Sequence, residues 1–317
     1  MLVTGANGFI GRALSRQLQA DGNIVRAFLR RESSGPWDQF ILGDLRAPSL
    51  PQGCMDGVNG VFHLAGKAHA LSETVGEESQ YEEVNVGGTN ALLNAATAAK
   101  VGFFVFFSSV KSMGDGGEEL LSESCQLPPQ TPYGKSKLAA EKLVLNAEQI
   151  PHCAILRPTM VYGPNNPGNL GKMILAINRG FFPPFPKIKN RRSMLHVDDL
   201  VQAAILAANN QNAHKQSYIV SDGEAYSTYQ LYIWICAALQ KQPPAWSIPL
   251  PILQGLAIIG DGIGVVTQKR FMFNSDALAK LTQSAIYSTD KIKKELGFTP
   301  KWILKKALPL IVKSCIK

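Results

Sequence analysis

Three side chains in this chain have the types and spacing of a proton-transfer site: Ser109, Tyr133 and Lys137. Tyr133 and Lys137 bracket the run Tyr133-Gly134-Lys135-Ser136-Lys137, a spacing that on a helix sets phenol and ammonium on one face. A phenol has an ordinary pKa of about 10, and a neighbouring cation favours the phenolate, bringing the group toward acid/base work near neutrality. Taken alone, the pair also fits an exposed helix surface. Ser109 tips the balance toward chemistry, because it follows the apolar run from Phe103 to Phe107. A hydroxyl at the carboxyl end of a strand, beside a crevice, can hydrogen-bond a carbonyl or alcohol oxygen while Tyr133 moves the proton.

A second pattern points to a redox partner. Thr4, Gly5, Ala6, Asn7, Gly8, Phe9, Ile10 and Gly11 spell TGxxGxxG directly after the apolar Met1, Leu2 and Val3. Gly5 lets the chain turn sharply off a strand, Gly8 removes the Cβ that would block a pyrophosphate, and Gly11 lets the next helix pack closely. Phosphates then meet that helix's N-terminal amides. Ala13, Leu14 and Leu18 continue with helical spacing, so the context is that of a dinucleotide-binding βαβ unit. The second strand ends Leu29-Arg30-Arg31, where an acid would suit free ribose hydroxyls and an arginine a 2'-phosphate. Arg30 therefore favours NADP, and Glu32 keeps NAD as the alternative.

These groups need a sheet to place them. Apolar strand-like runs at residues 1–4, 24–29, 40–42, 60–64, 103–108 and 153–156 alternate with helical patterns, clearest at 85–99 and 136–149. Such alternation predicts an α/β fold with a doubly wound parallel sheet. From Arg157 to about residue 190 the pattern is irregular, then helical over 198–208. Residues 1–163 are expected to form the dinucleotide-binding domain, with segments near 193–222 returning to it, and 164–317 mainly a smaller C-terminal substrate-binding region. The apolar stretch 248–266 is interrupted by Pro249, Pro251 and Asp261, which favours a buried or interfacial helix over a membrane span.

In order and spacing together, the motifs resemble the extended short-chain dehydrogenase/reductase family, specifically its nucleotide-sugar epimerases, dehydratases and reductases with Rossmann sheets. The resemblance spans essentially the whole chain. Besides the two patterns above it includes Gly43-Asp44-Leu45, His63-Leu64-Ala65-Gly66, Asn85-Val86-Gly87-Gly88-Thr89, Ser108-Ser109, Leu156-Arg157-Pro158, Val161-Tyr162-Gly163-Pro164 and the run from Arg192 to Asp199. It implies that Asp44 and Leu45 flank the adenine, that Leu64, Ala65 and Gly66 line ribose and phosphates, and that Asn85 lies toward the nicotinamide. Lys137 would bond the nicotinamide ribose and hold Tyr133 polarised. Arg192 would pair with the substrate's pyrophosphate, a bidentate task suited to a guanidinium, and Asn169 would meet the nucleotide diphosphate or serve as a helix cap. Lys111 and His69 fall near the expected sugar position. Two departures stand out: Met160 replaces an asparagine common in the epimerases, and Met113 the aromatic of the frequent SSxxxYG pattern.

The resemblance leaves two reactions open. One is NAD(P)H-dependent reduction of a UDP-linked 4-keto sugar, 6-deoxy or N-acetylated, with Tyr133 as the acid. The other is 4-epimerisation with tightly held NAD. The Ser108-Ser109-Val110-Lys111 run, Met160 and the arginines after the second strand favour the reductase. A 4,6-dehydratase is disfavoured, because Glu118, Glu119 and Glu123 lie in a loop without that branch's acidic motif. A hydroxysteroid-type dehydrogenase and a non-catalytic NAD(P)-binding sensor or scaffold are the remaining alternatives.

Composition narrows the partners. The net charge of +8 suits an anionic ligand, and Lys187, Lys189, Arg191 and Arg192, without aromatic interleaving, suit a phosphate-facing loop rather than nucleic acid. Five scattered cysteines without CxxC spacing argue against a disulfide framework or a zinc site and for a reducing, cytoplasmic compartment. A homodimer is expected by resemblance, through the helices at 85–99 and 136–149.

Overall fold

The computed structural model describes residues 1–67, 78–114, 116–125, 127–267 and 273–316. Through the first half, strands and helices alternate: β1 (Leu2–Thr4), α1 (Phe9–Ala20), β2 (Arg26–Leu29), β3 (Gln39–Leu42) and β4 (Gly60–His63). A short helix α2 (Glu78–Tyr81) widens into a π turn over Glu82–Gly87 and continues as α3 (Gly88–Ala98). There follow β5 (Phe103–Phe107), a 3₁₀ turn at Val110–Met113, β6 (Leu120–Leu121), α4 (Pro132–Leu145) and β7 (His152–Pro158).

The second half is more mixed. It holds β8 (Met160–Tyr162), α5 (Asn169–Asn178), β9 (Arg192–His196), α6 (Val197–Asn209), β10 (Gln216–Val220), β11 (Ala225–Tyr226) and α7 (Thr228–Ala238). The chain closes with α8 (Leu250–Thr267), α9 (Ser275–Thr282), β12 (Ile286–Tyr287), α10 (Asp290–Leu296) and α11 (Leu304–Cys315).

Seven strands form one parallel sheet in the order β10-β7-β5-β4-β1-β2-β3. Its central strands are buried on both faces, which is why β5 reads as an unbroken Phe-Phe-Val-Phe-Phe rather than an alternating pattern. The strand order reverses between β1 and β4, and a crevice opens at that switch point beyond the carboxyl ends. The register aligns Thr4 with His63 and His63 with Phe106, so those strands end side by side. Two cores flank the sheet, one containing Val3, Leu14, Phe62 and Leu200, the other Leu2, Leu92, Phe104 and Val144. A third core, around Ile174, Ile235, Leu308 and Ile311, is built by α5, α7, α8, α9 and α11.

Several expected boundaries move. Helix α4 begins at Pro132, not near residue 136, because the Thr131 side chain caps it by accepting the Gly134 N–H and proline is favourable in a first turn. It ends at Leu145. The expected helix over 85–99 is α3 preceded by the π turn that contains Asn85. The irregular stretch contains β8 and α5, strands and helices too short for their pattern to register. Stretch 248–266 is one helix from Leu250, since Pro251 falls in the first turn, where a missing N–H does no harm. That helix is buried along one side only, through Leu253 and Ala257, and its outer face is exposed. Among the described residues no helix is long and apolar enough to cross a membrane.

Candidate active site

The glycine turn is shaped by close backbone approach. Gly5 has φ +68° and a Cβ there would lie 2.9 Å from the Ala65 nitrogen; at Gly11 it would lie 2.1 Å from the Gly5 oxygen. These two glycines are demanded by the fold itself. Gly8 differs, with only the Gly5 oxygen at 3.2 Å and no other neighbour within 4 Å. Helix α1 starts there without a side-chain cap and without an acidic first turn, leaving a helix N-terminus suited to an anion. The Phe9 ring packs toward Gly163 and Ile10 against the core, so only their amides face that end. Arg12, which sequence reading missed, reaches from α1 to the Asn7 carbonyl (3.2 Å) and the Ser34 carbonyl (2.9 Å), tying the glycine turn to the loop after β2.

Behind that turn runs a buried polar chain. Thr89 Oγ1 donates to the Asn85 carbonyl (2.6 Å), so it accepts from His63 Nε2 (2.9 Å), which leaves His63 Nδ1 to accept from Thr4 Oγ1 (2.7 Å). Thr4 Oγ1 in turn accepts the Leu64 and Ala65 N–H groups at 3.1 and 3.0 Å. Every proton in the chain is thereby assigned. Burial, with a lesser contribution from Lys137, pushes the His63 pKa down to about 3 and keeps the ring neutral. At the far end Asn85 accepts the Lys67 N–H (2.7 Å) and donates to Ser136 Oγ (2.9 Å). A Cβ on Gly66 would stand 2.8 Å from Asn85 Oδ1 and 3.4 Å from Lys137 Nζ. The segment Leu64-Ala65-Gly66 thus borders a narrow cradle whose rim is Asn85 and Lys137, and that cradle, with the uncapped α1 and the open Gly8, fits a dinucleotide.

The predicted trio is brought together at the carboxyl end of β5. The Ser109 side chain hydrogen-bonds the Tyr133 phenol and accepts the Lys111 N–H at 3.2 Å. Gly134 makes this approach possible, because a Cβ there would lie 2.4 Å from the Lys111 oxygen. Lys137 lies one turn beyond Tyr133, buried, its Nζ donating to the Phe107 carbonyl (2.9 Å) and standing 4.7 Å over the Phe106 ring. The expectation that Lys137 lowers the phenol's pKa is corrected. Burial dominates and pushes Tyr133 up to about 12, with Ser109 opposing weakly. Burial likewise pulls Lys137 down to about 8, against an opposing pull from Glu141. Tyr133 is therefore a phenol, poised to give a proton.

Glu141 is a residue the sequence reading passed over. It extends the Tyr133/Lys137 stripe by one turn and is buried. Its carboxylate accepts from Ser108 Oγ, from Ser112 Oγ (2.7 Å) and from Arg157 Nε (3.0 Å) and Nη2 (2.5 Å). Ser108 and Ser112 straddle Ser109 in the chain, so Glu141 fixes the turn that presents Ser109. The fourfold spacing was the available signal.

Other expected residues sit farther out. Asp44 accepts from Arg46 (2.6 Å), which holds its carboxyl down at about 2, with a small contribution from Arg30. Leu45 packs under Gly88, beside an open cavity of about 580 Å³ that is also bordered by Arg46, Glu83 and Asn90. Arg30 is exposed at the end of β2, and Asn7 is exposed in the glycine turn. Arg192 Nη1 donates to the Lys280 and Gln283 carbonyls at 3.0 and 3.2 Å, binding β9 to the end of α9. Asn169 is the exposed first residue of α5, whose cap is Gly168. Lys111 lies in the 3₁₀ turn; Met160 pairs with Met194 across β8 and β9. Glu123 accepts the Ile219 N–H (2.7 Å). His69 lies outside the described residues.

Comparison with known proteins bears on this geometry. Residues 1–221 match the model of the NAD dependent epimerase/dehydratase family. The chain is 29% identical over 309 residues to a UDP-glucose 4-epimerase of Vibrio cholerae, covering 95% of this chain and 90% of that one. It is also 29% identical over 336 residues to short-chain dehydrogenase/reductase family 42E member 1 of Bos taurus, covering 94% and 83%. Among solved structures it resembles MoeE5 in complex with UDP-glucose and NAD, with a TM-score of 0.78 and 25% identity over 99% of this chain and 97% of that one.

Proposed function

Because this chain belongs to the NAD-dependent epimerase/dehydratase family, we propose that it is a nucleotide-sugar oxidoreductase acting at C4, reducing a UDP-linked 4-keto sugar. The observation that carries this reading is the Ser109–Tyr133 hydrogen bond, with buried Lys137 one helical turn from Tyr133 and bonded to the last carbonyl of β5. Ser109 hydrogen-bonds the ketone oxygen and polarises it. Tyr133, protonated at neutral pH, gives its proton to that oxygen as charge develops there. The phenolate left behind keeps its hydrogen bond to Ser109 and regains its proton from solvent, while Lys137, one helical turn on, is held by the Phe107 carbonyl. A nicotinamide dinucleotide, when bound, supplies the hydride that the carbon receives. The amides at the start of α1 would hold its pyrophosphate, Leu64 to Gly66 its ribose and phosphates, and Asn85 its nicotinamide side. Arg30 supports NADP through its exposed guanidinium at the end of β2; Asp44, committed to Arg46, is left to the adenine end.

The substrate's diphosphate belongs with Arg192 and Asn169, and its sugar near Lys111. Supporting a UDP sugar are the likeness to the Vibrio cholerae enzyme and to MoeE5, whose solved complex contains UDP-glucose. Those same relatives favour a second reading, 4-epimerisation with resident NAD. One experiment separates them. Purified protein is denatured and the released nucleotide identified, while native protein is assayed on a UDP-4-keto sugar with NADPH and on UDP-glucose without added cofactor. NADPH-dependent turnover of the ketone with no resident NAD supports the reductase. Stoichiometric NAD with turnover of UDP-glucose overturns it in favour of the epimerase.

A further inference from the structure

Helix α8 carries two apolar faces. Leu253 and Ala257 point into the third core. The opposite stripe, Ile252, Leu256, Ile259 and Ile263 at helical spacing, together with Ile258, is between 39% and 65% exposed. Isolated exposed aliphatics are ordinary, but a continuous stripe along three turns is not. The only charged residue from 250 to 267 is Asp261, and its carboxylate accepts from Ser275 Oγ (2.5 Å) and N (3.2 Å). In the loop before the helix Trp246 is 64% exposed, and in the loop after α5 Phe181 is 80% exposed. The two loops are tied together: Ile248 N donates to the Pro184 carbonyl (3.0 Å), and Lys241 Nζ to the Asn178 carbonyl.

The segments that lead to the start of this helix are basic, while the acids Asp261 and Asp276 lie toward its end. Residues 163–197 and 225–260 contain no Asp or Glu and seven Lys or Arg. Arg179, Lys187, Lys189 and Lys241 among them are exposed. We propose that this face rests on an anionic lipid bilayer, with α8 lying in the headgroup region and Ile252, Leu256 and Ile259 turned toward the acyl chains. A two-fold contact between copies would set the same basic rim against itself, whereas anionic headgroups complement it. An exposed Trp has the amphipathic ring that settles at that depth, and an exposed Phe adds apolar surface that inserts.

The test is sedimentation of the full chain with vesicles of phosphatidylcholine alone and of equal parts phosphatidylcholine and phosphatidylglycerol, at low and high salt. Binding is expected to the anionic vesicles and to fall about tenfold at high salt. Ile259→Glu should abolish it, and Lys187→Glu with Lys189→Glu should weaken it about tenfold, since each basic residue near the surface contributes. Both variants change exposed positions, and an unchanged melting temperature shows that they are folded. Equal binding to the two vesicle types, no binding by the wild type, or undiminished binding by Ile259→Glu overturns the proposal. So does a dimer, seen by light scattering, that Ile259→Glu converts to monomer, because the stripe then meets a second copy of the chain.

Discussion

The crevice around Tyr133 and the outer face of α8 depart from the usual polar-out, apolar-in arrangement in opposite directions. At the crevice, Lys137, Glu141 and His63 are buried; on α8, five aliphatic side chains face outward. The difference lies in what compensates each. Glu141 has Arg157 and two serine hydroxyls, His63 has two threonines, and Lys137 has a carbonyl and an aromatic face. Nothing comparable covers the α8 stripe among the described residues. A buried polar group satisfied within the chain maintains a geometry, while an apolar surface left bare by the chain has its complement outside it.

The largest effect expected is on turnover. Tyr133→Phe keeps the packing but removes the proton, so the rate on the true substrate should fall by about a hundredfold to ten-thousandfold, with nucleotide binding kept. Rates within a few fold of wild type would show that the buried cluster is structural and that the contrast with α8 has no catalytic meaning.

The next effect is on stability, and it sets the two regions directly against each other. Glu141→Ala strands Arg157 in a part-buried site, and breaking such a pair by removing one partner costs about 3–5 kcal/mol. A surface change such as Ile259→Glu should stay within about 0.5 kcal/mol. Urea unfolding of both variants decides. Similar losses would mean that α8 is packed as tightly as the crevice.

The smallest effect concerns Lys137 and sharpens the account of why its charge is tolerated. Its folded pKa, about 8, lies below its ordinary 10.5, so between those values the unfolded chain binds more protons than the folded one. Stability of the wild type relative to Lys137→Met should therefore rise with pH across that window, by at most about 1.4 kcal/mol per pH unit, and be flat below it. Unfolding curves at pH 7 and pH 10 test this. A relative stability that does not change between the two would mean that desolvation of the ammonium is not a cost the fold carries.

Spacing along the chain sufficed for the elements whose chemistry is local. The glycines at 5, 8 and 11, the fourfold step from Tyr133 to Lys137 and the apolar strands each follow from backbone sterics and helical or strand periodicity within a few residues. The parallel sheet then follows from alternation alone. The tertiary structure decided everything that depends on what surrounds a group. The direction of the Tyr133 shift is set by burial, which no run of sequence contains, whereas the cation four residues on is visible in it. Glu141 gains its importance from Ser108, Ser112 and Arg157, contributed by other segments, just as His63 gains its tautomer from Thr4 and Thr89. Stretch 248–266 announces an apolar helix in sequence, but which of its faces meets the core is set by the helices packed against it. Desolvation and long-range pairing are sums over space, and no window of sequence contains them.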